Sequence, residues 1–496
     1  MIRSRTFRLA ASALSRRQWT CPACLSRRRY SKQQPEKREP PDHRKLGNQQ
    51  ELFMTSIYSP GSPIFLPNGA RIFNRLVDFL RKQYVRYGFQ EVITPTIYKK
   101  SLWAKSGHLE NYADDMYSVT GNAKASDLEG AAGCCGTGHH AKGGAEEDDD
   151  DDYGLKPMNC PGHCLIFASK LHSYRDLPVR YADFSPLHRN EISGALSGLT
   201  RVRRFHQDDG HIFCRPSQVE GEIRKTLDFV KTVYGVLRLG VGYRLALSTR
   251  PKDHYIGTDD EWARAEDSLK RALDASGMEW TMNEGDGAFY GPKIDIVLKD
   301  SEGKEHQTAT VQLDFQLPKR FELAYQAPAP EFEARGETTD DPELLAHYGP
   351  VRPVMIHRAV LGSVERLLAL LIENYDGKWP FWLNPKQAIV LTVNTSDAVV
   401  EWADEVRNVL VGNKKQGGDG SPAIESLSGQ TGLAVEVDAS ARSLGSKIRE
   451  AHTSGYGLVL VVGEQDVKNK QVSLGSERLS PVEMRDRMLR MVDTFE

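Results

Sequence analysis

Between residues 364 and 371, apolar side chains recur at Val364, Leu367, Leu368 and Leu371. This i, i+3, i+4, i+7 spacing gives a helix one buried stripe. Arg366 falls off that stripe and is free to reach toward whatever lies beside the helix. Upstream the period changes to two. Residues 188–211 read as strand, loop and strand, and alternation along the second strand places Phe205, Gln207, Asp209 and His211 on one face. Three polar side chains beside an aromatic ring are costly to bury without hydrogen-bond partners. A pocket for a polar ligand would provide them; the competing reading is a solvated strand face.

The same counting predicts a helix over Gly69–Tyr87, a strand over Glu91–Thr96, and helices over Pro216–Leu237 and Glu261–Ala275. Val354–Ile356 reads as a short strand feeding the Val364 helix, and the Pro- and acid-rich stretch 327–350 as an exposed loop. From Pro385 the rhythm becomes strand–helix alternation. The strands are Ala388–Val393, Ala434–Val437 and Leu458–Val462, and the helices Asp397–Val411, Ser443–His452 and Pro481–Phe495. This predicts a smaller α/β C-terminal domain, residues 384–496, with a mainly parallel sheet. It follows a larger α+β domain, residues 48–383, built on an antiparallel sheet. Residues 31–47 read as a polar linker. Residues 121–153 read as a flexible insertion, Gly/Ala-rich and then acidic, whose Cys134, Cys135, His139 and His140 make a metal clip conceivable.

Composition narrows the class. The 496 residues suffice for two or three domains with real cores, and no apolar run is long enough to span a bilayer. The net charge of −2 owes much to the run from Glu146 to Asp152; without it the balance is +5. Without the eight arginines of residues 1–30 as well, it returns to −3. Charge therefore does not announce a nucleic-acid partner, and any such contact must come from local basic patches. Residues 1–30 hold Arg, Ser, Ala and Leu and no acid, the composition of a mitochondrial transit peptide, with RRYS (28–31) similar to a matrix-processing site. A basic RNA-binding arm is the alternative. Cys21 and Cys24 form a C-x-x-C pair without a second pair at finger spacing. Cys160, Cys164 and Cys214 show no disulfide framework, as expected in a reducing compartment.

Six segments appear in order: MNCPGH (158–163), HRNE (188–191), RFHQDDGHIF (204–213), FYGPKID (289–295), VQLDF (311–315) and HRAVLGSVER (357–366). Together they resemble motifs 2 and 3 of the class II aminoacyl-tRNA synthetases, and in wording specifically the threonyl-tRNA synthetase family. The resemblance spans about residues 48–496. It implies an ATP-dependent threonine–tRNA ligase whose C-terminal domain binds the anticodon, with tRNA(Thr), threonine and ATP as partners. It also implies a homodimer built on a motif 1 carrying Pro95, and a mitochondrial matrix location. Arg189 and Arg366 would be catalytic. Arg189, Glu191, Arg201, Phe205, Lys293, Gln307 and Arg366 would bind ATP, helped by Mg²⁺. Gln207, Asp209, Tyr290, Gln312 and Ser363 would line the amino-acid pocket.

The resemblance further assigns Cys160, His211 and His357 as zinc ligands, with Cys164 a nearby competitor for Cys160. Three protein ligands leave one position open for substrate. One departure concerns the C-terminal domain: where the family carries a basic strand, this chain has QVSLG (471–475), which leaves the anticodon-reading residues open. A catalytically inactive, synthetase-like accessory protein would lose Arg189, Glu191 and Arg366, all present here. A prolyl or seryl synthetase would not be expected to combine the Cys-His-His trio with Asp209. The few residues between the expected presequence and Gln49 are too few for the separate editing domain that many family members carry.

Overall fold

The structure is a computed structural model that describes residues 40–120, 152–239, 243–253, 255–413 and 429–496. The expected transit peptide, the Cys21/Cys24 pair and nearly all of the acidic insertion lie outside the described residues. Asp152 and Tyr153, counted with the insertion above, already belong to a strand, Asp152–Leu155.

An eight-stranded sheet organises the larger part of the chain. Its order runs Trp280–Asn283, Arg244–Ser248, Lys293–Lys299, Glu305–Asp314, Val354–Ala359, Asp209–Cys214, Val179–Asp183 and Gln90–Glu91. Pairing is antiparallel at the five central junctions and parallel only at the two edges. One face is apolar. Ile212, Ile294, Ile296, Val311 and Ile356 on it join a core with Leu76 and Leu80 of the helix Pro67–Tyr87 and Ile223, Leu227 and Val230 of the helix Val219–Val236. Those helical positions follow the 3.6-residue period, so sequence and packing agree. The opposite face carries the polar residues.

The C-terminal sheet has the order Val435–Asp438, Ala388–Thr392, Leu458–Val462, Val472–Leu474, Glu477–Leu479. The first three strands are parallel, and the last two form an antiparallel hairpin that the periodicity did not reveal. A separate core forms between this sheet and the helices Asp397–Val411 and Pro481–Asp493, through Val399, Trp402, Val406, Met484 and Met488.

Three expectations need correction. The expected linker is partly a helix, His43–Gln49, opened by Asp42, whose carboxylate accepts from the Arg44 amide. Its polar composition hid this, because the segment is held by hydrogen bonds more than by an apolar stripe. The expected loop 327–350 contains a hairpin, Tyr325–Pro328 against Tyr348–Val351, and two short helices with proline at their first turns. The expected strand Glu91–Thr96 shrinks to Gln90–Glu91: the Val92 amide still donates to the Ala182 carbonyl of the partner strand, but the Thr94 amide turns to the Asp183 side chain instead of extending the ladder.

Candidate active site

The polar face of the large sheet is a row of directly paired residues. Lys293 sits opposite Gln312, Gln312 opposite His357, and His357 opposite His211. Directly opposed residues in antiparallel strands point to one side, so these four side chains share a floor. Two residues along, Asp209 is paired with Ala359 on the same side. Gln307 and Gln312 are five residues apart, which regular alternation would put on opposite faces. A bulge in the strand Glu305–Asp314, where the register slips between Ile296 and Val297, inserts one extra residue. Thr308 then turns to the helical side, where its hydroxyl accepts from Tyr234, and Gln307 joins the floor.

Phe205, Gln207, Asp209 and His211 line one cavity, as alternation implied, although the strand is not continuous. Arg204–His206 pairs with Pro186–His188 in a separate hairpin, and the large sheet begins at Asp209. The alternate residues turn away: His206 bonds Glu365, and Asp208 bonds Arg358.

The cavity holds about 430 Å³ and brings together all fifteen residues expected at the site. At its inner end the ligand atoms of Cys160, His211 and His357 all lie within 4.8 Å of one another, and all three residues are buried. His211 Nε2 stands 3.0 Å from His357 Nδ1. Each ring's remaining nitrogen is held from behind: His357 Nε2 by the Asp314 carboxylate at 2.8 Å, His211 Nδ1 by His163 Nδ1 at 2.7 Å. Backing of this kind fixes ring orientation in metal sites, and a thiol with two imidazoles is a donor set suited to zinc with one open position. Burial pushes the Cys160 thiol well up and His211 well down. Cys160 opens the helix Cys160–Ala168, so one turn on Cys164 meets Met355, its sulfur 3.8 Å from the thioether, outside the cluster. Asp209 stands beside the trio, its carboxylate accepting from Asn159.

Basic groups crowd the other end. The Arg189 guanidinium lies over the Phe205 ring at 5.1 Å, and Arg201 pairs with Glu191 at 2.7 Å. Arg366 donates to the carbonyls of Thr200 and Gln307. It makes no surface pair with Glu365 or Glu373, which are occupied by His206 and His43. Lys293 pairs with Asp295 at 3.0 Å, and Tyr290 donates to Gln312 at 2.9 Å. The Ser363 hydroxyl accepts from the Arg366 amide, so at this position the structure displays a helix cap.

Several participants escaped the sequence reading. His108 approaches Cys160, its Nε2 3.7 Å from the sulfur, and Tyr112 and Met158 line the cavity. Arg358, the second member of the HRAV segment, is fully buried on the helical side under Tyr84, Phe89 and Phe229, its guanidinium 4.1 Å from the Phe89 ring centroid. It donates to Asp208, whose carboxylate also accepts from the amides of Val360 and Leu361. This buried pair fastens the strand Asp209–Cys214 to the turn that launches the Val364–Asn374 helix. Residue type alone does not separate Arg358 from a ligand-binding arginine; alternation counted from His357, which faces the cavity, places it on the apolar face.

Comparison with known proteins identifies the family. Residues 144–334 match the core domain of class II tRNA synthetases for Gly, His, Pro, Ser and Thr, and residues 387–478 match the anticodon-binding domain. The chain is 47% identical over 435 residues to the probable mitochondrial threonine–tRNA ligase of Schizosaccharomyces pombe, covering 88% of this chain and 84% of that one. It is 44% identical over 443 residues to the mitochondrial threonine–tRNA ligase of Saccharomyces cerevisiae, covering 86% and 85%. Among solved structures, one described as the RNA-binding domain of threonyl-tRNA synthetase from Cryptosporidium parvum superposes with a TM-score of 0.73 at 42% identity, covering 91% of this chain and 98% of that one. With the cavity, its clustered arginines and these likenesses together, the chain belongs to the threonine–tRNA ligase family of class II aminoacyl-tRNA synthetases.

Proposed function

We propose that the chain activates threonine with ATP and transfers it to the 3′ end of tRNA(Thr) in the mitochondrial matrix, with one zinc ion held by Cys160, His211 and His357. The observation that carries this reading is the trio beside Asp209, in the same cavity as Arg189 and Arg366. Zinc there would act as a Lewis acid whose coordination the amino and hydroxyl groups of threonine would complete. Asp209, at the edge of the trio, would accept from that hydroxyl. Gln207, Tyr290 and Gln312 would line the pocket around the amino acid.

In activation, a threonine carboxylate oxygen attacks the α-phosphorus of ATP, and the bond to the bridging oxygen of pyrophosphate breaks. The chain's part is orientation and charge neutralisation. Arg189 would hold the α-phosphate with its planar fork. Arg201 and Arg366 would bracket the outer phosphates, with Mg²⁺ accompanying the nucleotide. Glu191 would accept from the adenine amino group while Phe205 stacks on the ring, and Lys293 and Gln307 would lie along the nucleotide. In transfer, a terminal ribose hydroxyl of the tRNA attacks the threonyl carbonyl and AMP leaves.

The mitochondrial reading is supported by the acid-free, arginine-rich residues 1–30 and by the names of two relatives. A homodimer is implied by the resemblance of the segment around Pro95 to motif 1, where Ile93 is 88% accessible. An inactive accessory role is disfavoured because Arg189, Glu191 and Arg366 all line the cavity. The direct test is threonine-dependent exchange of pyrophosphate into ATP. Exchange with threonine and none with proline is expected; exchange with proline alone would refute the assignment.

A further inference from the structure

One buried histidine outside the cavity touches the machinery from behind. His43, only 5% exposed, is the first residue of the helix His43–Gln49. Its Nε2 accepts from the Leu199 amide at 3.2 Å, which fixes the neutral tautomer with the proton on Nδ1. That proton is donated to Glu373 at 2.7 Å, near the end of the Val364–Asn374 helix. Leu199 immediately precedes Thr200, whose carbonyl accepts from Arg366, and Arg201, which lines the cavity. Two consecutive residues of the loop are therefore pinned: Leu199 by His43, Thr200 by Arg366.

The imidazole is itself built in. Its anchor Glu373 also accepts from the Ser301 amide, while the Ser301 hydroxyl donates to the Pro41 carbonyl. The far end of the short helix is fixed by Gln50, which donates to the Gly377 carbonyl and accepts from Trp379. A Cβ on Gly198 would lie 2.2 Å from His43 Nε2, so the loop passes the ring with no side chain between them. Leu199 is itself a buried member of the large core and Leu46 of the short helix packs against it, so a kinetic effect must be separated from a loss of stability.

We propose that His43 is a positioning residue for ATP: it holds the loop that carries Arg201 against the helix that carries Arg366, so that both arginines meet the phosphates together. This rests on the nucleotide reading given above. His43 touches no reacting atom; it acts through the Leu199 amide.

The test is threonine-dependent pyrophosphate exchange on the full chain, with KM for ATP and for threonine measured separately, alongside zinc content and Tm. His43→Ala is expected to raise KM for ATP about tenfold, the scale of one lost hydrogen bond to a buried amide. KM for threonine should stay within about twofold, and zinc content should not change. His43→Gln, which carries an acceptor where Nε2 was, should stay within about threefold of the native KM for ATP. His43→Asn, which reaches only the Nδ1 position, should behave like His43→Ala. Glu373→Gln keeps the volume filled and should give an intermediate rise. The proposal is overturned if the variants lose Tm while KM for ATP is unchanged, or if both KM values rise in parallel. It is equally overturned if the Gln and Asn variants are indistinguishable. A native chain without threonine-dependent exchange would refute the proposed function instead, so the two failures are distinct.

Discussion

Single side chains divide into those that face the cavity and those that hold them there, and alternation revealed the first group better than the second. Phe205, Gln207, Asp209 and His211 were legible because period two survives the break between the two strands. Gln307 was not legible from the period, since a bulge reverses its face; only what the family resemblance implies singled it out. At this scale Arg189→Ala should lower pyrophosphate exchange by about two orders of magnitude or more, as when an electrostatic clamp is removed. Tm should stay within a few degrees, because the guanidinium packs over Phe205 and carries little of the core; a collapse of Tm alongside activity would show that Arg189 is structural. Asp208→Ala should act on stability first. It strands the fully buried Arg358 guanidinium without its carboxylate, and breaking such a pair costs about 3–5 kcal/mol. Denaturant unfolding that places the variant within about 1 kcal/mol of the native chain would contradict that account of Arg358.

At the scale of elements, the site depends on one turn. The strand Val354–Ala359 ends in Val360 and Leu361, both held by Asp208, and then Gly362 adopts φ +71°. A Cβ there would stand 2.0 Å from the Thr308 carbonyl oxygen. Gly362→Ala therefore meets about 1–2 kcal/mol of left-handed strain before the clash is counted. It would also shift the start of the helix that carries Arg366. We expect a lowered Tm together with a raised KM for ATP in exchange kinetics; an unchanged KM would mean that the turn tolerates displacement. The helices themselves were readable, since Val364, Leu367, Leu368 and Leu371 are all fully buried. The helix His43–Gln49 and the hairpin Tyr325–Pro328 with Tyr348–Val351 were not. Both are short and rich in polar residues or proline, and tertiary hydrogen bonds decide their form.

For the whole molecule, the fold class followed from the change of rhythm near Pro385, and the two sheets with separate cores agree with it. What periodicity could not supply was the meeting of Cys160, His211 and His357, which are distant in sequence and brought together by a helix start and two paired strands. That meeting carries the proposed choice of amino acid. Valine has a methyl in place of the hydroxyl and should be rejected by several orders of magnitude at activation, since the site's polar groups would be left unpaired. Serine keeps both polar groups and lacks one methyl, worth about 1–3 kcal/mol, so its exchange should fall only about 10–200-fold below that of threonine. Comparable exchange rates for valine and serine would show that the pocket does not read the hydroxyl. The most direct measurement is zinc stoichiometry by atomic spectroscopy on purified chain, taken beside threonine-dependent pyrophosphate exchange. One zinc per active chain is expected, with zinc and exchange lost together in Cys160→Ser and His211→Ala. Full activity in native protein holding less than half an equivalent of zinc would contradict the account.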